Sequence, residues 1–439
     1  MKTINISGLF ALCCSVGALL LSGASCKRVQ PTPFSPTPLV QEILSDSLSS
    51  PHARQLKMYD RGNVQGRITL LGESRQVTRY SEALLGADYF NNIDGSFGKG
   101  DALPDFSGEV FAIVMDQANE PYSSYIGEEG KERLLRETVI RNFLMGLDTL
   151  YLNNPHDTLT PRVKATSKAF VLCSSIAGGL TKTELDTLRS FSGEMVPIYS
   201  APEAMLEYSY ERRRACPSYG SDAPARGMNF LVWTDKDVQA ADVYGKLFPR
   251  VAASHSDTQS TYMVYSPDSV GTVLSCVKAM LSAFRENAPT GSKVSALLLD
   301  DTSVNKEMVD SALVYLKGLD PLSPEGSLGT LLEDGVEVVD PYVAVSFCLY
   351  RGMRRSNSFT HRIYYPDLET YVTLPGSGLG EDAYGPDGLF STVYRSARLP
   401  SSSPRADYCL CLLNDDYLDE DFMQFFEEDC PLTFALYVK

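Results

Sequence analysis

From about residue 66 onward, short apolar runs alternate with longer segments in which apolar residues recur at helical spacing. Gly, Pro, Asp or Ser marks most of the switches between the two patterns. The apolar runs predict strands at residues 67–71, 110–116, 169–174, 195–199, 229–234, 262–265, 294–299, 336–339, 408–413 and 432–438. The periodic segments predict helices near residues 78–90, 129–147, 183–191, 202–213, 236–249, 270–286, 305–317, 340–353 and 418–427.

Alternating strands and helices predict parallel sheets with helices on both faces. About five strands fall in each half of the chain, and one sheet of about ten strands would be unusual. We therefore predict an α/β protein with two similar lobes, each a mostly parallel sheet, over residues 62–245 and 246–439. The hinge is expected near residues 235–260, with crossovers between the lobes allowed. Residues 364–385 interrupt the repeat and are expected to form a hairpin or a cleft cover.

Three local stretches are similar to the periplasmic binding protein-like type I family, which includes the leucine-type solute receptors. Residues 80–87 resemble the first helix of such receptors, and residues 242–248 resemble the helix that leads into the second lobe. Residues 168–175 and 196–200 resemble the paired strands of the first lobe. As a pattern, the resemblance covers about residues 62–439. It implies a cleft between two lobes that binds a small solute.

Ligands of parallel α/β sheets bind beyond the carboxyl ends of the strands, where the topology reverses. Hydroxyls and carboxylates at these positions can hydrogen-bond a polar solute. Applied to the predicted strands, this rule selects eight ligand-binding candidates: Asp116, Ser174, Ser175, Ser200, Asp235, Ser266, Asp300 and Asp301. Ser and Asp are also favoured where a strand turns into a helix, so helix capping is the alternative for each of them.

An acidic string precedes the second predicted strand and contains Asp101, Asp105 and Glu109. If the three carboxylates converge in a loop, their oxygens suit calcium or magnesium. In the favoured alternative the string is a solvated turn in which Asp105 accepts hydrogen bonds from nearby backbone donors.

The sequence contains no complete nucleophile, metal or phosphate-loop motif. The glycine-rich run at residues 376–380 is not followed by a segment that opens a helix, as pyrophosphate binding would require. The four histidines are scattered, without a second histidine at ligand spacing. We therefore expect neither a cofactor nor a metal ion.

The first 25 residues predict an export signal. They combine a positive charge at Lys2, an apolar run over residues 9–21 and a small-residue exit before Cys26. The apolar run is too short to span a membrane as a helix. Residues 22–26 resemble a relaxed lipobox of the Bacteroidetes kind, in which Cys26 is lipidated. An ordinary secretory signal cut near Ala24, with a free thiol at Cys26, is the alternative.

Basic residues follow the lipobox cysteine. By the lipoprotein resemblance, Lys27 and Arg28 replace the acidic residues that retain some lipoproteins at the inner membrane and send others to the cell surface. We therefore expect an outer-membrane lipid anchor that faces the periplasm. Residues 26–61 are expected to be a tether and linker, because the prolines between residues 31 and 38 favour an extended spacer.

Charge excludes one class of partner. The chain has 39 Lys and Arg against 55 Asp and Glu, which gives a formal net charge of −16. Nucleic-acid phosphates and anionic lipid surfaces repel such a chain, and we exclude nucleic acid as a partner. Most cysteines beyond Cys26 lie in apolar runs, where a thiol behaves as a small core residue.

Together these features favour a membrane-anchored, solute-binding-like lipoprotein that holds a small polar molecule or short peptide between two lobes. A secreted hydrolase or other enzyme with a cleft site is the second hypothesis, since catalytic groups often converge from separate loops. A non-catalytic interaction protein with a cell-envelope protein partner is the third.

Overall fold

The apolar runs form the strands of two β-sheets in the computed structural model, which describes residues 35–45, 50–57, 63–98, 100–193, 196–215, 227–267, 271–360, 362, 364–398 and 407–439. Every element below belongs to the compact unit formed by Pro36–Lys439. The export signal, Cys26 and residues 27–34 lie outside the described residues, so lipidation stays a prediction.

The first sheet has six strands in the spatial order β12-β11-β2-β1-β5-β6. They are β1 (Arg67–Gly72), β2 (Val110–Met115), β5 (Ser167–Leu172), β6 (Ile198–Ser200), β11 (Asp367–Pro375) and β12 (Tyr408–Leu412). The second sheet has the order β10-β9-β7-β8. Its strands are β7 (Asn229–Thr234), β8 (Thr261–Tyr265), β9 (Val294–Asp300) and β10 (Leu332–Val339). All neighbours in both sheets are parallel except β11 and β12. A separate two-stranded hairpin joins β3 (Leu150–Tyr151) to β4 (Arg162–Val163).

Helices cover both faces of the sheets, which confirms the predicted α/β class. In chain order they are α1 (Pro38–Ser45), α2 (Pro51–Lys57), α3 (Ser74–Leu85), α4 (Glu129–Leu147), α5 (Ser175–Ser192), α6 (Ala201–Ala215), α7 (Lys236–Ala240), α8 (Val243–Ser254), α9 (Val273–Asn287), α10 (Lys306–Gly318), α11 (Gly326–Gly329), α12 (Pro341–Ser356), α13 (Thr392–Ala397), α14 (Glu420–Asp429) and α15 (Pro431–Tyr437). Within the described residues, no helix has both the length and the apolar character that a membrane span requires.

Continuous burial explains why the central strands are apolar runs rather than alternating patterns. Every residue of β5 and of β9 is buried, as expected for parallel strands with both faces covered by helices. Capping residues define the ends of the helices between them. For example, Asp340 accepts hydrogen bonds from the backbone N–H groups of Tyr342 and Val343 at the start of α12, where Pro341 occupies the first turn.

The two sheets share one hydrophobic core. Alternate residues of β7 point to opposite faces, so Phe230 and Val232 belong to the core of the first sheet. Leu231 and Trp233 belong instead to a smaller core formed with α9 and α10. One face of the second sheet therefore packs against helices such as α6 and α12, which join it to the core of the first sheet, and the other face carries its own helical layer.

The sheet order corrects the predicted domain boundary. The chain leaves the first sheet after Ser200, builds the second sheet from Asn229 to Val339, and returns to the first with β11 and β12. A division between residues 245 and 246 is therefore wrong, and the sheets have six and four strands rather than similar halves. The error came from residues 364–385, because β11 is a central strand of the first sheet and not part of a hairpin insertion.

Two further predictions are corrected. The apolar run at residues 432–438 predicts a strand, but residues 432–437 lie in α15 and Val438 follows its end. Pro431 starts this helix, and the carboxylate of Glu82 accepts hydrogen bonds from the N–H groups of Leu432 and Thr433. Residues 38–57 of the expected tether instead contain α1 and α2, whose apolar side chains, such as Leu39 and Leu56, are buried in the core.

Candidate functional site

A cavity of about 1170 Å³ opens at the carboxyl ends of β1, β2 and β11. This is the edge at which parallel sheets bind ligands. The loop after β1 contributes Glu73, the loop after β2 contributes Gln117 and Glu120, and Thr302 approaches from the loop after β9. Further walls come from residues 374–377, 384–389 and 416–422. The segment after β11 thus lines the cleft, as the predicted cleft cover would, although β11 itself does not cover it.

The carboxylates of Glu73 and Glu120 line this cleft, and each accepts hydrogen bonds from the loop that carries the other. Glu73 Oε1 accepts a hydrogen bond from Tyr122 N at 3.0 Å. Glu120 accepts from Ser74 N at 2.7 Å and from Ser74 Oγ at 2.9 Å. The loop after β1 is therefore tied to the loop after β2 by reciprocal bonds, in which each carboxylate accepts from the partner loop's backbone.

Burial changes the acidity of both groups. It raises the pKa of Glu73 to about 7, against the hydrogen bond from Tyr122, and the nearby charges of Glu120 and Asp116 raise it further. Burial also raises the pKa of Glu120, while its hydrogen bonds from Ser74 oppose the shift. Glu73, with a pKa near neutrality, can hold a proton, and the two neighbouring acids together can receive a cationic ligand.

Two amide oxygens add unmet acceptors. The side-chain oxygens of Gln76 and Gln117 are buried, and neither has a hydrogen-bond partner among the described residues. Gln117 is itself fixed, because its Nε2 donates to Tyr417 O at 3.0 Å. Both residues line the cleft. Buried polar atoms are normally hydrogen-bonded, so each of these two oxygens can accept from a donor that the described residues do not supply.

Two arginines of α3, Arg75 and Arg79, also line the cleft. The guanidinium groups of Arg75 and Arg79 lie over the ring of Phe425, with centroid distances of 4.8 and 5.2 Å. Arg79 also donates to the carbonyl oxygen of Thr302 at 3.2 Å. That bond links the first sheet's helix to the loop after β9.

Asp116, a predicted ligand residue, lies fully buried rather than in the cleft wall. Its carboxylate accepts hydrogen bonds from Tyr122 Oη at 2.7 Å, Asn119 Nδ2 at 2.7 Å and Thr373 Oγ1 at 2.6 Å. These bonds hold the loop that carries Gln117 and Glu120 against β11. Its position at the strand end is as expected, but its contacts give it a supporting role.

Ser175 and Asp300 are brought together, as the strand-end rule expects. Ser175 Oγ donates to Asp300 Oδ1 at 2.6 Å, and Tyr244 Oη donates to Asp300 Oδ2 at 3.0 Å. Burial raises the pKa of Asp300 to about 6, and these two hydrogen bonds oppose the shift. The contact joins the end of β9 to the start of α5, so it fastens the second sheet to the first.

The other predicted residues have varied surroundings. Ser174 and Asp235 cap α5 and α7 through Ala177 N and Val238 N, which is the alternative weighed for them. Asp301 accepts from Ser303. The hydroxyl oxygens of Ser200 and Ser266 are buried with no partner among the described residues. None of the eight predicted residues lines the cleft, and ligand binding by any of them stays a prediction.

The strand-end rule missed the cleft residues for identifiable reasons. Glu73 stands two residues after the predicted end of β1, so a wider window would have included it. Glu120 lies five residues after the end of β2, and only the folded loop brings it back to Ser74. The signals for Gln76 and Gln117 are weaker still, because only packing shows that their oxygens lack partners.

The acidic string divides its carboxylates among separate partners. Asp105 accepts from Tyr89 N and Phe90 N, both at 2.9 Å, as the turn interpretation expects, but it is buried and not solvated. Asp101 accepts from Asn92 N, while Glu109 forms a buried ion pair with Lys168 at 2.6 Å. Within the described part of the chain, no group of three or more His, Cys, Asp or Glu residues is arranged to hold a metal ion.

Comparison with known proteins yields only distant structural similarity. No protein-family profile and no curated protein matches the sequence. Among solved structures, glutamate racemase from Francisella tularensis subsp. tularensis SCHU S4, in complex with D-glutamate, has a TM-score of 0.38 at 10% identity, over 70% of this chain and 88% of that one. Glutamate racemase from Thermus thermophilus, in complex with β-chloro-D-alanine, has a TM-score of 0.38 at 14% identity, over 78% of this chain and 98% of that one. Similarity at this level assigns neither a family nor an activity to the chain.

Proposed function

We propose that this chain binds a small polar solute, rich in hydrogen-bond donors and carrying an amine, in the cleft beyond β1, β2 and β11. One observation carries the proposal: the half-buried carboxylates of Glu73 and Glu120 and the buried amide oxygens of Gln76 and Gln117 all line one cavity. Pockets that combine apolar walls with a few convergent polar groups are the usual sites for small ligands.

An amine meets the needs of this cleft better than a neutral solute. Its N–H groups supply the donors that the oxygens of Gln76 and Gln117 lack. Its positive charge also stabilises the ionised form of Glu73, whose pKa lies at about 7 in the free protein. Binding of a protonated amine at neutral pH therefore releases part of a proton from Glu73.

The cellular setting is part of the proposal. We infer that residues 1–25 direct export and that Cys26 carries a lipid, which anchors the protein in the outer membrane facing the periplasm. The sequence before the first described helix supports this, through its apolar run and small-residue exit. Mass spectrometry of the mature N-terminus tests it, and an unmodified Cys26 would contradict it.

A relationship to the periplasmic binding protein-like type I receptors belongs to the same proposal. Parallel sheets with helices on both faces, and a cleft at the carboxyl ends of strands, support it. The shared core of the two sheets and their unequal size are departures from two similar lobes.

An enzyme with a carboxylate pair is the second candidate function. The observation that favours it is the raised pKa of Glu73, to about 7, beside a second buried acid. Such a group can donate and accept a proton at neutral pH, as general acid–base catalysis requires. Turnover of a panel compound, lost in Glu73→Gln, would favour this enzyme over the binding protein.

A thermal-shift panel of amino acids, amino sugars, polyamines, sugars, nucleosides and divalent ions tests the binding proposal, because a ligand of the folded state raises the unfolding midpoint. We expect an amine to raise the midpoint in the wild type and to lose this effect in Glu73→Gln and Gln117→Leu. Glu381→Gln, which removes an exposed acid outside the cleft lining, is the matched control and should behave as the wild type. No response to any panel amine would contradict the proposal.

A further inference from the structure

A second cavity, of about 710 Å³, lies between the C-terminal ends of α6 and α12. Both helices start at the carboxyl ends of strands and run back, so this cavity lies towards the opposite edge of the sheets from the cleft. It shares no lining residue with the cleft. Five arginines line it, and we call it the arginine groove: Arg212, Arg214, Arg351, Arg354 and Arg355.

The groove concentrates positive charge that neighbouring acids only partly neutralise. Arg351 Nη1 lies 2.8 Å from Glu211 Oε2, and Arg212 Nε lies 3.8 Å from Glu337 Oε2. Among the described residues, exposed Arg214 and Arg355 have neither an ion pair nor a hydrogen bond, although both lie close enough to interact with the charge of Glu211, which already pairs with Arg351. The chain as a whole has a formal net charge of −16, so this cluster of positive charge is opposite in sign to the rest of the protein.

Arg354 also forms no ion pair within the part of the chain that the structure describes, and a backbone carbonyl fixes its position. Its Nη2 donates to the carbonyl oxygen of Asp94 at 2.9 Å. A Cβ atom on Gly95 would lie 1.3 Å from Arg354 Nη1, and Gly95 has a φ of 75°. A side chain at this position would strain the backbone and displace the Arg354 guanidinium.

Aromatic rings hold two of the other guanidinium groups. Arg212 lies over Phe97 at 5.3 Å and Arg351 over Phe347 at 5.1 Å, and the two rings meet edge to face at 5.0 Å. A guanidinium stacked on a ring keeps its N–H edge free for a planar or tetrahedral oxyanion. Cations at helix C-termini also suit the helix dipole, but that effect alone does not require rings and a glycine to position them.

We propose that the arginine groove binds a multiply charged phosphate group. Three guanidinium groups that form no ion pair among the described residues, with only Glu211 near two of them, match a phosphate or diphosphate better than a single carboxylate, which would leave most of their charge unbalanced. Arginine forks bind phosphate oxygens in pairs, which gives geometric as well as electrostatic recognition. The phosphate belongs either to a free phosphorylated metabolite or to a lipid headgroup, which presents the same chemistry at a surface.

Calorimetric titration with inorganic pyrophosphate, in chloride buffer at low ionic strength, tests the groove directly. We expect Arg214→Gln/Arg355→Gln to weaken pyrophosphate binding at least tenfold. Arg214→Lys/Arg355→Lys keeps the positive charges but loses the paired N–H groups of guanidinium. Its affinity for pyrophosphate should therefore lie between those of the wild type and of the glutamine variant. Gly95→Ala should also weaken binding, because it displaces the Arg354 guanidinium.

Arg285→Gln is the matched control, because Arg285 is an exposed arginine on α9, outside the groove. It should leave pyrophosphate affinity unchanged, and an equal loss there would show non-specific attraction and overturn the proposal. Sedimentation with phosphatidylcholine vesicles that contain phosphatidic acid separates the two sources. Binding of pyrophosphate alone indicates a free phosphate ligand, and binding of vesicles that the double variant abolishes indicates a headgroup. A protein that binds neither probe contradicts the proposal, whatever the cleft binds.

Discussion

Glu73 in the cleft differs from Asp116 and Asp300, whose carboxylates are closed in by side-chain donors and which we call the locked carboxylates. All three follow or end strands, but their surroundings differ. Glu73 follows the end of β1 and faces a cavity, with a backbone N–H as its partner. Asp300 ends β9 and is closed in by the hydroxyls of Ser175 and Tyr244, which come from elements packed against the first sheet. Burial raises both pKa values. Under the proposed function, a strand-end acid is available to a ligand only where no neighbouring element closes it in with hydrogen-bond donors.

Asp116→Ala should produce the largest effect, because Asp116 is locked by three hydrogen bonds. The substitution leaves Tyr122, Asn119 and Thr373 without their acceptor, and should lower the free energy of unfolding by about 4 kcal/mol. Urea denaturation measures this loss. Glu381→Ala, at an exposed position, should change stability by less than about 0.5 kcal/mol. If Asp116→Ala lowered the free energy of unfolding by no more than this control, the three hydrogen bonds to Asp116 would not stabilise the fold.

The pH dependence of stability should reveal Asp300 next. In the unfolded chain this acid ionises near its ordinary pKa of 3.8, while in the folded protein it ionises at about 6. Between these values the folded state holds the extra proton, so the contribution of Asp300 is complete below pH 3.8 and is lost as the pH rises through 6. The loss is about 3 kcal/mol.

Urea denaturation of the wild type and of Asp300→Asn across this pH range isolates that contribution. Asn carries no titrating group, so the difference in unfolding free energy between the two proteins should shift in favour of the variant as the pH rises from about 4 to 6. A difference independent of pH would show that Asp300 ionises normally in the folded protein.

Glu73→Gln should have a smaller effect, of the opposite sign to Asp116→Ala. At pH 8 the ionised Glu73 carboxylate is held in a partly buried site, so its neutral isostere should raise the free energy of unfolding by about 1 kcal/mol. The gain should vanish as the pH falls below about 4.5, where the unfolded chain is protonated as well. Destabilisation at pH 8 would place Glu73 with the locked carboxylates.

Arg79→Ala should have the smallest effect, since exposed hydrogen bonds contribute little to stability. It removes the contact with Thr302 and the stacking on Phe425, and should cost about 0.5 kcal/mol. Differential scanning calorimetry can resolve such a change when Arg285→Ala serves as the exposed control. A loss several times larger would mean that this contact, and not Asp300, holds the second sheet to the first.

The sequence predicted regular elements better than their connection. The helix at residues 129–147 was predicted with its observed bounds, because apolar residues recur through it and acids occupy its first turn. Strand β11 was missed because it starts with exposed and half-buried polar residues, including Asp367 and Glu369. The strand-end rule found Ser175 and Asp300, but it could not show which strand ends are closed by other elements, since that depends on long-range packing.

Carboxyl carbon-13 NMR titration of Glu73, with and without the panel amine that stabilises the protein most, tests the central claim most directly. The cleft account predicts a pKa of about 7 in the free protein, a lower pKa with the amine bound, and no change in the titration of Asp300. An ordinary pKa for Glu73 in the free protein, or a pKa that no panel amine alters, would contradict the account.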